Sequence, residues 1–297
     1  VSKTYRSLLG REVRAVEDVT LDVAPGEVLG IAGPNGAGKS TIISLLLGFL
    51  KPTSGSLSID GLDPRAYVEK FGVAYVPELM ALPTHWTAES ALRRLAVLAG
   101  VPGDRVNAEA DRVIELFAIG EHRNKRLKTL SKGNFQRVGL AQAMLTETRV
   151  VIFDEPTHGL DPVWTQKFRD IVAALKRTDR AIIIASHNLD ELERLTDRVA
   201  IIDRGKIQRV VTVSGASVST LMAYRVRVVA GGDALAAQFP GAVAAASGDL
   251  DIPPVDVPTL NAGLAAAIGA GALISAVIPR ESALEQAFHA SVGAGAT

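Results

Sequence analysis

The chain has 297 residues, 47% hydrophobic and 22% charged, enough for one large or two unequal domains with a buried core. Lys plus Arg and Asp plus Glu both count 32, a balance that argues against a nucleic-acid footprint, which needs a basic excess. There is no cysteine, which excludes disulfides and thiolate chemistry and fits a reducing compartment. No signal peptide is visible from Val1 onward.

In chain order, apolar runs at 27–33 ("EVLGIAG"), 71–77 ("FGVAYVP"), 149–155 ("RVVIFDE"), 181–187 ("AIIIASH") and 198–203 ("RVAIID") read as strands. Runs this continuous suit strands buried on both faces, hence a largely parallel sheet wrapped by helices. Between 86 and 147 helical patterns replace them. One of these, "TAESALRRLAVLAG", opens with a capping box at Thr87 and Ser90. The fold class expected is α/β, a P-loop core with a helical insertion at about 80–147 inside a domain spanning 1–213.

Beyond 213 the charges thin out and Ala and Gly rise. Residues 214–221 read as a linker, and 222–297 as a small α+β domain in β-α-β-β-α-β order, the split βαβ motif. A closing helix is expected to start with a Ser282/Glu285 capping box. The competing reading of this stretch is a loosely ordered Ala-rich tail. The uncharged run 257–279 is long enough to cross a bilayer, yet its internal "GAG" reads as a turn between a helix and a strand. The chain is therefore expected to be soluble, with any membrane role coming through a partner.

Two motifs carry phosphate chemistry. Gly33, Pro34, Asn35, Gly36, Ala37, Gly38, Lys39, Ser40 and Thr41 follow a strand and open a helix, the context a P-loop requires. Backbone N–H groups and the helix N-terminus then face phosphate oxygens. Lys39 reaches the β- and γ-phosphates, Ser40 ligates Mg²⁺ and Thr41 supports the cradle. The strand "VVIFDEP" delivers Asp154 and Glu155 to the C-terminal edge of the sheet, where ligands of open α/β sheets bind. Asp154 suits an outer-shell role on Mg²⁺, and Glu155 is placed to polarise water as a general base.

The P-loop, "LSKGNFQR" (130–137), "VVIFDEP", "GLDP" (159–162) and "SH" (186–187) together resemble the ATP-binding cassette ATPases that power membrane transporters, over about residues 3–210. The resemblance implies ATP and Mg²⁺ as cofactors. It makes Leu130, Ser131, Lys132, Gly133 and Asn134 a signature loop that contacts ATP held by the opposite subunit. Physically, Ser131 offers a hydroxyl, Gly133 an unobstructed N–H, and a helix from Asn134 a positive dipole end. By position, Tyr5 matches the aromatic that stacks on adenine, His187 the switch histidine, and Asp161 the aspartate linking the two sites of a dimer. A core tyrosine is the other reading of Tyr5.

Two positions depart from the family pattern. Glu78 stands where Gln usually touches Mg²⁺ and the water; it can still ligate the metal but adds negative charge beside the phosphates. His158 stands where a small hydroxyl residue is common, either at a dimer interface or as a solvated loop residue. Leu82 and Trp86 form either an apolar patch for a membrane partner or part of the helical core.

The resemblance implies an ATP-hydrolysing subunit on the cytoplasmic face of a membrane, of exporter type. Its partners would be a second nucleotide-binding subunit, in a homodimer, and separate transmembrane subunits, with no nucleic acid. The competing classes are a cassette protein of translation or repair and an ATP-closed switch without turnover. The single cassette and the lack of a long coiled coil weigh against the former, and Glu155 with His187 against the latter.

Overall fold

The computed structural model describes residues 1–6, 12–213, 222–245, 248–279 and 283–292. Two strands, β1 (Lys3–Arg6) and β2 (Glu12–Val16), form an antiparallel pair of their own, in which Tyr5 stands opposite Val13. Next come β3 (Val28–Ala32), α1 (Lys39–Leu46), α2 (Pro64–Phe71) and β4 (Ala74–Val76). The strand expected at 71–77 is shorter because Phe71 ends α2 and Gly72, at φ 73°, turns the chain.

The helical part consists of α3 (Ala88–Leu98), α4 (Val106–Leu116) and α5 (Lys132–Ala143). Its first helix begins with the reciprocal cap read from the sequence: the Thr87 N–H donates to Ser90 Oγ at 3.0 Å and the Ser90 N–H to Thr87 Oγ1 at 3.2 Å. Leu92, Val113, Ile114 and Leu140 are buried, each contributing roughly 1.5–3 kcal/mol by leaving water.

The chain returns to the sheet with β5 (Val150–Asp154), α6 (Pro162–Leu175), β6 (Ala181–Ser186), α7 (Leu189–Leu195), β7 (Arg198–Asp203) and β8 (Lys206–Thr212). The six strands stand in the order β4-β5-β6-β3-β7-β8, parallel except for β8, an antiparallel edge strand with no counterpart among the sequence expectations. Every residue of β3 and of β5 is buried, as a strand covered on both faces requires. Phe153 of β5 meets Phe168 of α6 edge to face at 5.2 Å. Strand register fixes where the loops emerge. Ala32 stands opposite Ser186 and Asp154 opposite Ala185, so β3, β6 and β5 end side by side.

These elements form one compact unit, Val1–Val213; Ser214–Thr297 form a second. The second contains β9 (Met222–Ala230), α8 (Gly232–Ala236), β10 (Val243–Ala244), β11 (Leu250–Val255), α9 (Val257–Gly269), β12 (Leu273–Pro279) and α10 (Ala283–Val292). Its antiparallel order β10-β11-β9-β12 is that of a split βαβ sheet, with Tyr224, Val226, Phe239, Ile252 and Leu260 in its own core. The 257–279 run folds as helix, turn and strand. At 13 residues α9 is about 20 Å long, short of the roughly 30 Å of a bilayer core. No helix among the described residues is long and apolar enough to cross a membrane. The linker expected at 214–221 and the cap expected at Ser282 lie outside the described residues.

Candidate active site

The loop from Gly33 to Gly38 bends β3 into α1. Gly38 takes φ 110°, and a Cβ there would stand 2.5 Å from the Ala15 carbonyl oxygen, so β2 presses against the loop and only glycine fits. The loop gathers backbone donors at the N-terminus of α1, where the helix dipole favours an anion. Lys39 is 7% exposed, and its Nζ donates to the carbonyls of Gly33 at 2.7 Å and Pro34 at 3.3 Å. That holds the ammonium at the loop's mouth, 3.8 Å from Glu155 Oε1.

Asp154 and Glu155 leave β5 at the same edge, each 4% exposed. Ser40 Oγ donates to Asp154 Oδ2 at 3.2 Å, pairing the two oxygens proposed for Mg²⁺. Burial pushes the Asp154 carboxyl up to about 6, with the Glu78 and Glu155 charges adding to the rise and the Ser40 hydroxyl and Lys39 opposing it. Nearby, burial first and then Asp154 and Glu78 push the Tyr75 phenol up to about 12. Three carboxylates thus act on one buried point against one lysine, an arrangement that a hard divalent cation relieves. No cluster of three or more His, Cys, Asp or Glu side chains able to hold a metal exists among the described residues. Ser40 and Asp154 would offer Mg²⁺ the one or two protein oxygens that the ion takes beside phosphate and water.

Glu155 sits at φ 48°, uncommon for a non-glycine residue, and its N–H donates to the Ala185 carbonyl at 2.9 Å. Its Oε1 accepts from the His187 N–H at 2.9 Å and lies 2.9 Å from His187 Nδ1; its Oε2 accepts from Ser186 Oγ at 3.0 Å. The His187 side chain is 59% exposed, leaving its outer face toward solvent. Sequence reasoning gave a role to His187 and none to Ser186. The contact arises because β5 and β6 are neighbours, which no local pattern shows.

Other expected residues fall elsewhere. Tyr5 is 40% exposed, which rules out the core reading, and Lys3 Nζ lies 5.7 Å from its ring. Glu78 is exposed and acts on Asp154 through its charge alone. Leu82 and Trp86 are half-buried, with the Arg94 guanidinium 5.0 Å over the Trp86 ring, while Leu79 is the exposed apolar side chain of this loop at 83%.

Residues 130–134 make no hydrogen bond or ion pair to the 33–41 loop among the described residues. Helix α5 starts at Lys132, two residues before the expected Asn134, because Ser131 is its N-cap and accepts from the Asn134 N–H at 3.3 Å. The turn after Glu155 packs on this helix start: Gln136 Nε2 donates to the Pro156 carbonyl at 3.1 Å, and Lys132 Nζ meets His158 Nε2 at 2.9 Å. Asp161 caps α6, accepting from the Trp164 N–H at 2.9 Å.

Comparison with known proteins agrees with this geometry. Residues 16–158 match the family described as ABC transporter. The ABC transporter ATP-binding protein NatA of Bacillus subtilis (strain 168) is 34% identical over 199 residues, 66% of this chain and 80% of that protein. The bacitracin transport ATP-binding protein BcrA of Bacillus licheniformis is 33% identical over 65% of this chain and 63% of its own length. The methionine import ATP-binding protein MetN 2 of Paraburkholderia xenovorans (strain LB400) is 31% identical over 70% and 55% respectively. Among solved structures, an ATP binding subunit of an ABC transporter aligns with a TM-score of 0.62 and 30% identity, over 67% of this chain and 84% of that one. The dimeric cassette MJ0796, bound to ADP and Pi in a post-hydrolysis state, aligns at 0.66 and 22% identity over 72% and 97%, a likeness of fold.

Proposed function

This chain belongs to the ATP-binding cassette family as an ATP-hydrolysing subunit of a transporter, and from that premise we propose how it works and with what. Two copies close head to tail on ATP, each site formed by the P-loop, Asp154, Glu155 and His187 of one copy and by Leu130–Asn134 of the other. The observation that carries this reading is the exposure of the 130–134 turn. The phosphate-binding and carboxylate groups share one sheet edge, while residues 130–134 bond to none of the 33–41 loop among the described residues and present exposed Ser131 and Lys132. The dimeric cassette of the same fold supports it.

In this reading Gly33–Gly38 and Thr41 cradle the phosphates, Lys39 engages the β- and γ-oxygens, and Tyr5 stacks on adenine. Ser40 and Asp154 hold Mg²⁺, with Glu78 beside them; the ion supplies neutralisation of the phosphate charge when bound. Glu155 takes a proton from the attacking water, and His187 orients water and γ-phosphate. Asp161 links the two sites. The homodimer sits at the cytoplasmic face of a membrane through separate transmembrane subunits. Export is the proposed direction, in keeping with the exporter-type resemblance of the sequence, in which Glu78 replaces Gln. The relatives' names include both bacitracin transport and methionine import, so transport in inside-out vesicles is the test of direction.

The test of the core reading is Glu155→Gln, which keeps nucleotide binding and removes the base. Light scattering with Mg-ATP is expected to show a doubled mass, absent without nucleotide, and turnover is expected to vanish. A mass that stays monomeric with ATP bound would overturn the homodimer.

A further inference from the structure

We propose that Ser186 is a positioning residue for Glu155: its hydroxyl anchors the Oε2 oxygen and thereby aims the carboxylate at the attacking water. The proposal rests on Glu155 acting as the base.

The direction of the hydrogen bonds follows from what each group can do. A serine hydroxyl has one proton and two lone pairs. The Asn188 backbone N–H, which can only donate, points to Ser186 Oγ at 3.0 Å. The hydroxyl proton is then available to Glu155 Oε2 at 3.0 Å, where an ionised carboxylate only accepts. Ser186 is 2% exposed, so water does not compete for this contact.

The two carboxylate oxygens are held differently. Oε1 has the His187 N–H and Nδ1 at 2.9 Å and Lys39 Nζ at 3.8 Å. Two of these are side chains that engage phosphate in the proposed function, so their contacts with Oε1 are exchangeable during the cycle, while the backbone N–H of His187 stays. Ser186 is the side-chain donor to Oε2 and has no phosphate to engage. It is braced from behind, since Asn188, whose N–H it accepts, also caps α7 through Oδ1 to the Glu191 N–H at 3.2 Å. The Asp154–Ala185 register sets β6 beside β5 and gives the bond its reach. When the Lys39 and His187 side chains turn to the nucleotide, the His187 backbone N–H still holds Oε1, and Ser186 fixes Oε2, so the buried carboxylate on its left-handed backbone keeps one orientation.

The experiment compares Ser186→Ala, Ser186→Thr and Glu155→Gln in the full chain, measuring kcat, KM for ATP, melting temperature and ATP-dependent dimerisation. A mis-aimed base costs chemistry and leaves substrate binding alone. Ser186→Ala is therefore expected to lower kcat roughly tenfold or more with KM within about twofold. Its ATP-dependent dimer should form as in the parent protein. Ser186→Thr, which keeps the hydroxyl and suits a strand, is expected to restore kcat to within about threefold. An alanine variant with unchanged kcat, beside a dead Glu155→Gln, would overturn the proposal and leave the base assignment standing. Loss of kcat together with ATP affinity and melting temperature in the alanine variant would also overturn it, because the role would then be structural. Full turnover in Glu155→Gln would remove the base assignment itself and the proposal with it.

Discussion

His158 Nε2 lies 2.9 Å from Lys132 Nζ, which ties the turn after Glu155 to the first residue of α5. An ammonium only donates, so Nε2 of His158 is the acceptor in this contact. Next to this contact, Gly133 packs so closely that an added Cβ would be 3.1 Å from the Gly159 carbonyl oxygen. The turn that follows the carboxylates and the 130–134 turn therefore share one local scaffold.

His158→Ala tests that scaffold. Both side chains are exposed, and an exposed pair contributes about 0–1 kcal/mol, so the melting temperature should hardly move. ATP affinity of the monomer should also be unchanged. Dimerisation of the Glu155→Gln background on Mg-ATP, followed by sedimentation, is expected to weaken roughly three- to tenfold, which is about 0.7–1.4 kcal/mol. His158→Gln, which keeps an acceptor, should recover most of the loss. Unchanged dimerisation in His158→Ala would mean that the signature turn needs no support from this pair.

Asp154→Asn should stabilise the nucleotide-free protein while removing Mg²⁺-dependent turnover. The carboxyl is raised from 3.8 to about 6 in the folded chain, chiefly by burial, so folding disfavours its ionised form. That penalty is absent below pH 4, grows as pH rises to the folded value, and is fully present above about pH 6. Urea unfolding at pH 7 in the presence of a chelator should show a gain on the order of 1–3 kcal/mol for the variant, shrinking toward pH 4. A destabilised variant at pH 7 would mean that the Ser40 bond outweighs the burial cost.

Glu78→Gln addresses the departure from the family pattern. Removing the exposed carboxylate takes one negative charge from beside Asp154 and one anionic ligand from the proposed Mg²⁺ site. The Mg²⁺ concentration for half-maximal ATPase should rise a few-fold, with maximal turnover within about threefold of the parent. An unchanged Mg²⁺ titration would place Glu78 outside the metal's ligand set.

Local features are legible in the bare sequence. The strand–loop–helix at 27–46 was legible because glycines, a lysine and a hydroxyl occur together between an apolar run and a helix. The Thr87 cap was legible because both partners lie within one turn. So was the folding of 257–279 as helix, turn and strand, with glycines marking the break. Each signal lies in residues that touch near neighbours in the chain. The β1–β2 pair and the edge strand β8 escaped notice because they are largely exposed, and a strand that buries little leaves little apolar periodicity.

The contacts that complete the site depend on tertiary structure. The sheet order set β3, β6 and β5 side by side, and only that adjacency places Ser186 against Glu155, 31 residues away in the chain. The same holds for Lys132 and His158, 26 residues apart, and for Ser40 and Asp154, 114 apart. The apolar runs state that strands must be buried but not which strand each lies beside. That choice depends on how helices cover both faces and on the register that brings ladder hydrogen bonds and side-chain packing into agreement.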